Sequence, residues 1–550
     1  MATEKTATEF VVYGDIRTMD QAGTSARAML VRDGRIAALS QCRDLEGAAT
    51  HDFGERVVIP GFCDPHSHVE TAGATLAMVD LRAPEHGSVQ DVLDEISTAI
   101  AAGKGGPDEF LVAQANLFFD QKLAEKRYPL LSELDRVTGD RPIVIQAGGH
   151  VSILNSKAME LAQIGRFSTG DAGTTGAAIV DLDEHGLPTG VVSEIDGYLP
   201  IPQPDAAEFE TLIERAVTEL YLRYGVTTLG DISHTPESLT ALSKVAARSR
   251  SVRVHTALWA PHTLDLDQVI DWRARFPGLT ASDFFTVDGL KVFADGGYSA
   301  HNAATLTPYL PEFALEDDYY GQVNMERAAI ARAVAVASAA GLNLLVHTNG
   351  ERAQIELAEG VLLARDNGHT AVHVRSEHAG NLNTSSRTTD AWRRAGLVPV
   401  SQAVFLYNFG DFIPALLGEP ARHGQFHFRR LLDEGWRVSS TSDYLLGSEL
   451  HQTNPLFGVW CAVKRQGFGG EVIEPEQSVS VDEAIRMHTV HAAEAMGLAD
   501  TRGSLENGKY ADFLVLDRNP FTVAAADDLL DVAVDQVWTN GVLVHSKAAR

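Results

Sequence analysis

Cysteine is scarce: three residues in 550, Cys42, Cys63 and Cys461, far apart and with no C-x-x-C pair, which excludes a disulfide framework and a thiolate zinc site. Positive charge is also short. Against 74 Asp and Glu stand 45 Lys and Arg, a net charge of −29, which repels phosphate backbones and anionic head groups, so no nucleic acid and no membrane partner is expected. No uninterrupted apolar run approaches the ~18–20 residues that would span a bilayer. The opening Met1-Ala-Thr-Glu-Lys has no basic stretch leading into an apolar one, so no export signal is read there. A soluble, cytoplasmic protein is the expectation. The G-x-x-x-x-G-K-[ST] and G-x-G-x-x-G loops are missing, so nucleotide cofactors are not indicated, and without a G-x-S-x-G elbow a serine nucleophile is not expected.

What remains is ordinary globular composition, 45% hydrophobic and 22% charged, in a chain long enough for a large core. Both ends read as strands. Glu9 to Met19 and Ala28 to Ala38, the latter broken by Asp33-Gly34, are matched at the other end by Tyr510 to Asp517 and Val537 to Val544, with Asn540-Gly541 as the turn. A domain assembled from the two termini is expected, since chain ends often lie close together. Between them, apolar runs of four to seven residues alternate with helix-period segments, as in parallel β/α units. Eight strands are predicted: Val57–Cys63, Val226–Asp231, Val252–Trp259, Phe285–Ala294, Asn343–His347, Ala371–Glu377, Leu397–Ser401 and Arg437–Asp443. Eight is the number that closes a barrel. Helices are predicted over Asp205 to Tyr224 and over Met325 to Ala340, the second stopped by Gly341.

Chemistry-bearing residues fall at the C-terminal ends of these strands, where the βα loops of a barrel converge on one opening. The first strand leads into Asp64-Pro-His66-Ser-His68, and residues two apart in extended chain face the same side, so two imidazoles can meet one ion. The fifth strand ends in His347, the sixth in Glu377-His378, the eighth in Asp443. Neutral imidazoles and a carboxylate suit Zn²⁺, with Mn²⁺, Co²⁺ or Fe²⁺ served by the same donors.

The series P-G-F-x-D-x-H-x-H at Pro60 to His68, then His347, Glu377-His378, Ser442-Asp443 and the tail Gly503 to Asp517 resembles the amidohydrolase superfamily. Within it the chain is similar to the amidohydrolase-3 branch of YtcJ-like and N-substituted formamide deformylase-like proteins. Supporting stretches are Gly149-His150, Asn155 to Ala158, Gly225 to Thr228, Lys291 to Gly296 and Asn454-Pro455. The resemblance implies a deformed (β/α)8 TIM barrel over 57–504 and a small β-sandwich domain from 1–56 and 505–550. The stretch 69–205 between the first and second strands, which holds strand-like Glu109–Gln114 and Pro142–Gln146, is read as an insertion covering the barrel mouth. The resemblance implies metal ligation by His66, His68, His347 and His378, with Asp443 as the metal-adjacent acid and base. Lys291 matches a position where relatives carry a carbamate bridging two metals; its alternative is a buried lysine paired with Asp295. One zinc ion or two therefore depends on Lys291.

The implied activity is hydrolysis of a C–N bond of an amide, N-acyl or N-substituted formamide, by metal-activated water. Deamination, cyclic-amide opening and decarboxylation on the same scaffold are alternatives, as is a non-catalytic protein that kept the fold. The partner is then a small-molecule amide, and a homodimer is the default assembly. Departures from the family pattern at Glu351 and from Gly297 to Ala304 mark candidate substrate contacts: Tyr298 and His301, joined by His150 from the insertion. Trp259, Tyr444, Phe118 and Phe119 are candidate apolar walls.

Overall fold

The computed structural model describes residues 9–104, 109–170, 173, 178–202, 204–279, 281–369 and 372–547. The opening residues read for an export signal, up to residue 8, and Ala371 lie outside them. The two termini do combine. One seven-stranded sheet runs in the order 542–546, 534–539, 513–516, 50–60, 9–17, 25–32, 35–40. Both predicted hairpin turns have the left-handed backbone that Asx-Gly supplies: φ is +51° and +77° at Asp33-Gly34, and +54° and +70° at Asn540-Gly541. The sheet folds over on itself, as a sandwich requires. Phe10 and Trp538 sit on strands with two others between them, yet their rings are 5.6 Å apart. Ile36, on the far edge strand, donates its N–H to the Lys509 carbonyl at 2.9 Å.

Eight parallel strands form the barrel: β1 (Phe62–Ser67), β2 (Val226–Ser233), β3 (Arg253–Trp259), β4 (Phe285–Phe293), β5 (Asn343–His347), β6 (Val374–Glu377), β7 (Val398–Ser401) and β8 (Ser439–Ser440). Two expectations change here. The segment predicted as a single strand from Val57 divides at Gly61: Thr50–Pro60 belongs to the terminal sheet, and β1 starts at Phe62. Gly61 is forced by proximity, because a Cβ there would meet Thr227 Oγ1 at 2.1 Å. The eighth strand shrinks to two residues, and no strand ladder joins it to β1. Closure is made instead by loop hydrogen bonds, Asp443 N–H to His66 O at 2.9 Å and His68 N–H to Tyr444 O at 3.3 Å. The barrel's seam therefore coincides with its chemistry.

The helix predicted from Asp205 begins with a capping box. The Asp205 side chain accepts the N–H groups of Ala207 and Glu208, while the Glu208 carboxylate accepts that of Asp205. After Arg215 it widens into a π-helical turn over Ala216–Tyr221, which buries Tyr221 with its hydroxyl against Ser67 of β1. The helix Arg327–Ala340 ends at Gly341 with φ +68°.

The insertion builds a second sheet of six strands, in the order 179–182, 188–193, 151–154, 143–147, 111–115, 79–80. Val92, Leu93 and Ile96 of the helix Val89–Ala101 cover one face. The insertion is pinned to the barrel by a buried ion pair, Lys122 Nζ to Glu449 Oε1 at 2.6 Å, and by Leu117 N–H to Gly447 O at 3.1 Å. These anchors hold it over the C-terminal ends of the strands. Among the described residues no helix is long and apolar enough to cross a membrane.

Gly61→Ala is expected to lower stability by about 1–3 kcal/mol through overpacking against Thr227. An unchanged denaturation midpoint would show that the β1 entry has slack the structure does not have.

Candidate metal centre

His66 lies at the end of β1 and His68 just beyond it; both are almost fully buried. Their Nε2 atoms each stand 3.3 Å from Asp443 Oδ1. These three donor atoms lie within 4.8 Å of one another, close enough to share a cation. The opposite nitrogens are already engaged: His66 Nδ1 with Glu377 Oε2 at 2.5 Å, and His68 Nδ1 with His234 Nε2 at 2.7 Å. With Nδ1–H of His66 donated to Glu377, its Nε2 carries a lone pair directed at the shared point. The Glu377 carboxylate is held in turn by Arg375, with Nε at 2.7 Å and a second contact at 3.1 Å. A carboxylate and two lone-pair nitrogens packed this closely repel unless a cation or a proton lies between them. The donor set therefore fits a divalent ion.

Burial pushes the imidazoles of His66, His347 and His378 well below the usual range and His68 down to about 3, aided by the nearby Lys291 charge. Neutral rings are the ligating form. His378 follows β6, its Nδ1 3.6 Å from Asp443 Oδ2 and 3.2 Å from Gln402 Oε1. His347 stands one ring further out, 4.4 Å from His378 between centroids, with Nε2 3.2 Å from the Gly296 carbonyl. Lys291 Nζ is 3.4 Å from His66 Nε2, and burial lowers its ammonium to about 8 against the pull of Glu377 and Asp443. The alternative pairing of Lys291 with Asp295 is not what the structure shows: Asp295 accepts the backbone N–H groups of Ala304, Asn349 and Gly350. Burial raises Asp443 to about 7, with Lys291 opposing.

Two of these residues have left-handed backbone, His378 at φ +67° and Asp443 at +46°. Such conformations cost on the order of 1–3 kcal/mol each in a residue other than glycine and persist where packing dictates them. Here they turn side chains back into the mouth immediately after the strand ends.

The centre opens into a cavity of about 1150 Å³ between barrel and insertion. His150, Trp259 and Phe293 line it in ring contact with the histidines, and Phe110, Leu199 and Phe209 add apolar lining. Trp259 thus stands where the sequence suggested. Others do not. Tyr298 is buried with its hydroxyl donated to the Asn349 carbonyl at 3.1 Å, and His301 packs its ring on Phe313 at 4.9 Å. The Tyr444 hydroxyl lies 3.4 Å from both Thr75 Oγ1 and Arg82. Phe118 stacks on Phe412, and Phe119 belongs to the core of the insertion. None of these five is on the cavity wall. Glu351 is likewise no mouth residue: it is buried and accepts the Thr384 and Leu306 N–H groups, tying two loops together. Among the residues overlooked, His234 had the same signal as the rest, a histidine directly after a barrel strand.

A β/α barrel with a buried histidine and carboxylate centre at the C-terminal ends of its strands defines a class of metal-dependent hydrolases. Residues 49–545 match the model of the amidohydrolase family, and the chain belongs to that family. It is 28% identical to N-substituted formamide deformylase of Arthrobacter pascens over 98% of each chain. To the putative amidohydrolase YtcJ of Bacillus subtilis (strain 168) it is 22% identical, over 97% of this chain and 99% of that one. The fold is shared with an uncharacterized metal-dependent hydrolase from Pyrococcus horikoshii OT3, with TM-score 0.69 and 22% identity over 94% and 99% of the two chains.

Glu377→Gln removes the carboxylate that orients His66 while conserving size. Metal affinity, measured by competition with a chelator, is expected to fall about 10–100-fold. Unaltered affinity in a folded variant would mean that His66 needs no such partner.

Proposed function

We propose that the protein hydrolyses the C–N bond of an amide, of the N-acyl or N-substituted formamide type. The observation that carries this reading is the Asp443 carboxylate, buried and 3.3 Å from the Nε2 atoms of both His66 and His68. It is supported by the whole-length similarity to the Arthrobacter pascens deformylase.

His66, His68 and Asp443 would hold the cation, joined by His378, and by His347 and Lys291 at the rim of the cluster. Zn²⁺ is the ion that best suits imidazole and carboxylate together. A divalent ion bound there supplies a lowered pKa for water, from about 15.7 toward ~7, and Lewis-acid polarisation of a carbonyl oxygen. Asp443 accepts the proton that the attacking water gives up. It then delivers this proton to the departing nitrogen as the tetrahedral intermediate collapses, since an amide anion is too basic to leave unprotonated. Glu377 and His234 keep the two imidazoles oriented throughout. The apolar walls at Phe110, Leu199 and Phe209 take the organic part of the substrate and exclude water around it.

Asp443→Asn is expected to retain most of the metal and to lose about 10²–10⁴ in kcat. Near-normal turnover with metal retained would remove Asp443 from this role. Product analysis on a panel of N-acyl amines and N-substituted formamides tests the reaction itself, with equimolar amine and carboxylate expected. Ammonia alone, or carbon dioxide, would move the assignment to deamination or decarboxylation.

A further inference from the structure

The insertion contributes a single imidazole to the cavity near the metal centre, and its setting is built rather than incidental. His150 lies in the turn between Ile143–Ala147 and Val151–Leu154, after Gly148-Gly149. Gly148 has φ +80°, and a Cβ there would meet Leu117 Cδ2 at 2.2 Å, so the turn is tight by necessity. The His150 Nδ1 atom is 3.1 and 3.2 Å from the two carboxylate oxygens of Glu194. Glu194 has no exposed side-chain surface, accepts Asn302 Nδ2–H at 2.8 Å, and donates its own N–H to the His150 carbonyl at 2.9 Å. Its φ of +62° is a further left-handed outlier. Asn302 belongs to the loop after β4, so the barrel holds Glu194 and Glu194 holds the imidazole.

Space around the ring is closed as well. A Cβ on Gly297 would come within 2.9 Å of His150 Cδ2 and 3.1 Å of Nε2, which makes glycine the residue that lets the ring sit there. The ring centroid is 6.0 Å from that of His347, in the cavity that both rings line. One nitrogen is left over: the ring lines the cavity, and its Nε2 has no protein hydrogen bond among the described residues. Burial disfavours charge on this ring, but Glu194, with Asp196 and Asp443 behind it, outweighs burial and lifts His150 to about 9. With Nδ1 set against both oxygens of a carboxylate that has no exposed surface, the ring is placed as the cation of a buried pair, and in that form both nitrogens carry hydrogen.

We propose that His150 is a catalytic residue whose Nε2–H donates a hydrogen bond to the carbonyl oxygen of the scissile amide, and holds that oxygen as negative charge develops on it. Glu194 and Asn302 are its positioning residues. No proton changes hands: Nε2 keeps its hydrogen, and the proton traffic stays with Asp443. The substrate group recognised is a carbonyl oxygen that becomes an oxyanion, placed between the metal cluster and the roof of the insertion. This inference rests on the amide-hydrolysis reading above. It gives the insertion a chemical task beyond covering the mouth.

The test uses the full-length, metal-loaded protein. His150→Ala is expected to lower kcat about 10²–10³-fold, the cost of removing one preorganised donor, with KM within about threefold and metal content unchanged. His150→Gln, whose side-chain amide can place an N–H near the former Nε2, is expected to restore at least about tenfold of that loss, which a purely structural role would not do. Turnover of His150→Ala within about threefold of the parent, or a defect confined to metal loss or to KM, overturns the proposal. Should the parent release no amine from any amide, the amide reading itself fails. The role of His150 is then decided by calorimetry with acetate, which presents the same kind of oxygen. Binding at least about tenfold weaker in His150→Ala supports it, and equal or undetectable binding in the parent and variant overturns it.

Discussion

The architecture of the centre depends on burying several imidazole lone pairs against a carboxylate. In water each of these groups would be solvated separately; inside the barrel mouth that solvation is gone, and the imidazoles are driven to their neutral form. The arrangement is unfavourable on its own. It is relieved when a proton or a cation occupies the point between His66, His68 and Asp443, so the packing favours positive charge there.

That preference explains much of the surrounding structure. Arg375 holds Glu377, Glu377 holds His66, and His234 holds His68, so that each ring presents one nitrogen inward. The left-handed turns at His378 and Asp443 are costly conformations placed where they redirect side chains. Even the incomplete barrel seam belongs to the same design. Where β8 fails to pair with β1, hydrogen bonds from the Asp443 and His68 backbone close the gap, so wall and site are made of the same residues.

A second level of organisation comes from the insertion. Its buried Lys122–Glu449 ion pair fixes it to the barrel loops, and His150 then reaches the cavity from above on a rigid turn. Desolvated pairs of this kind are poor sources of net stability but hold a geometry, because breaking one leaves a stranded charge.

Residues near in sequence could be read in advance, because local chemistry governs them. The Asx-Gly turns, the capping box at Asp205, the glycine stop at Gly341 and five of the site residues at strand ends all express backbone preferences or a two-residue strand period, which operate over a few positions. Contacts between distant segments had no such signal. That Tyr298, His301 and Tyr444 point away from the cavity follows from partners about 12 to 370 positions off, Asn349, Phe313 and Thr75. The need for glycine at 61, where the first strand divides, comes from Thr227 lying against it, and the bond of Glu194 to His150 from a hairpin and a barrel loop meeting over the mouth. The chain's own pattern decided which residue types stand at the strand ends; only packing in three dimensions decided which of them face one another, because a hydrogen bond or a shared ion depends on distance through space and not along the backbone.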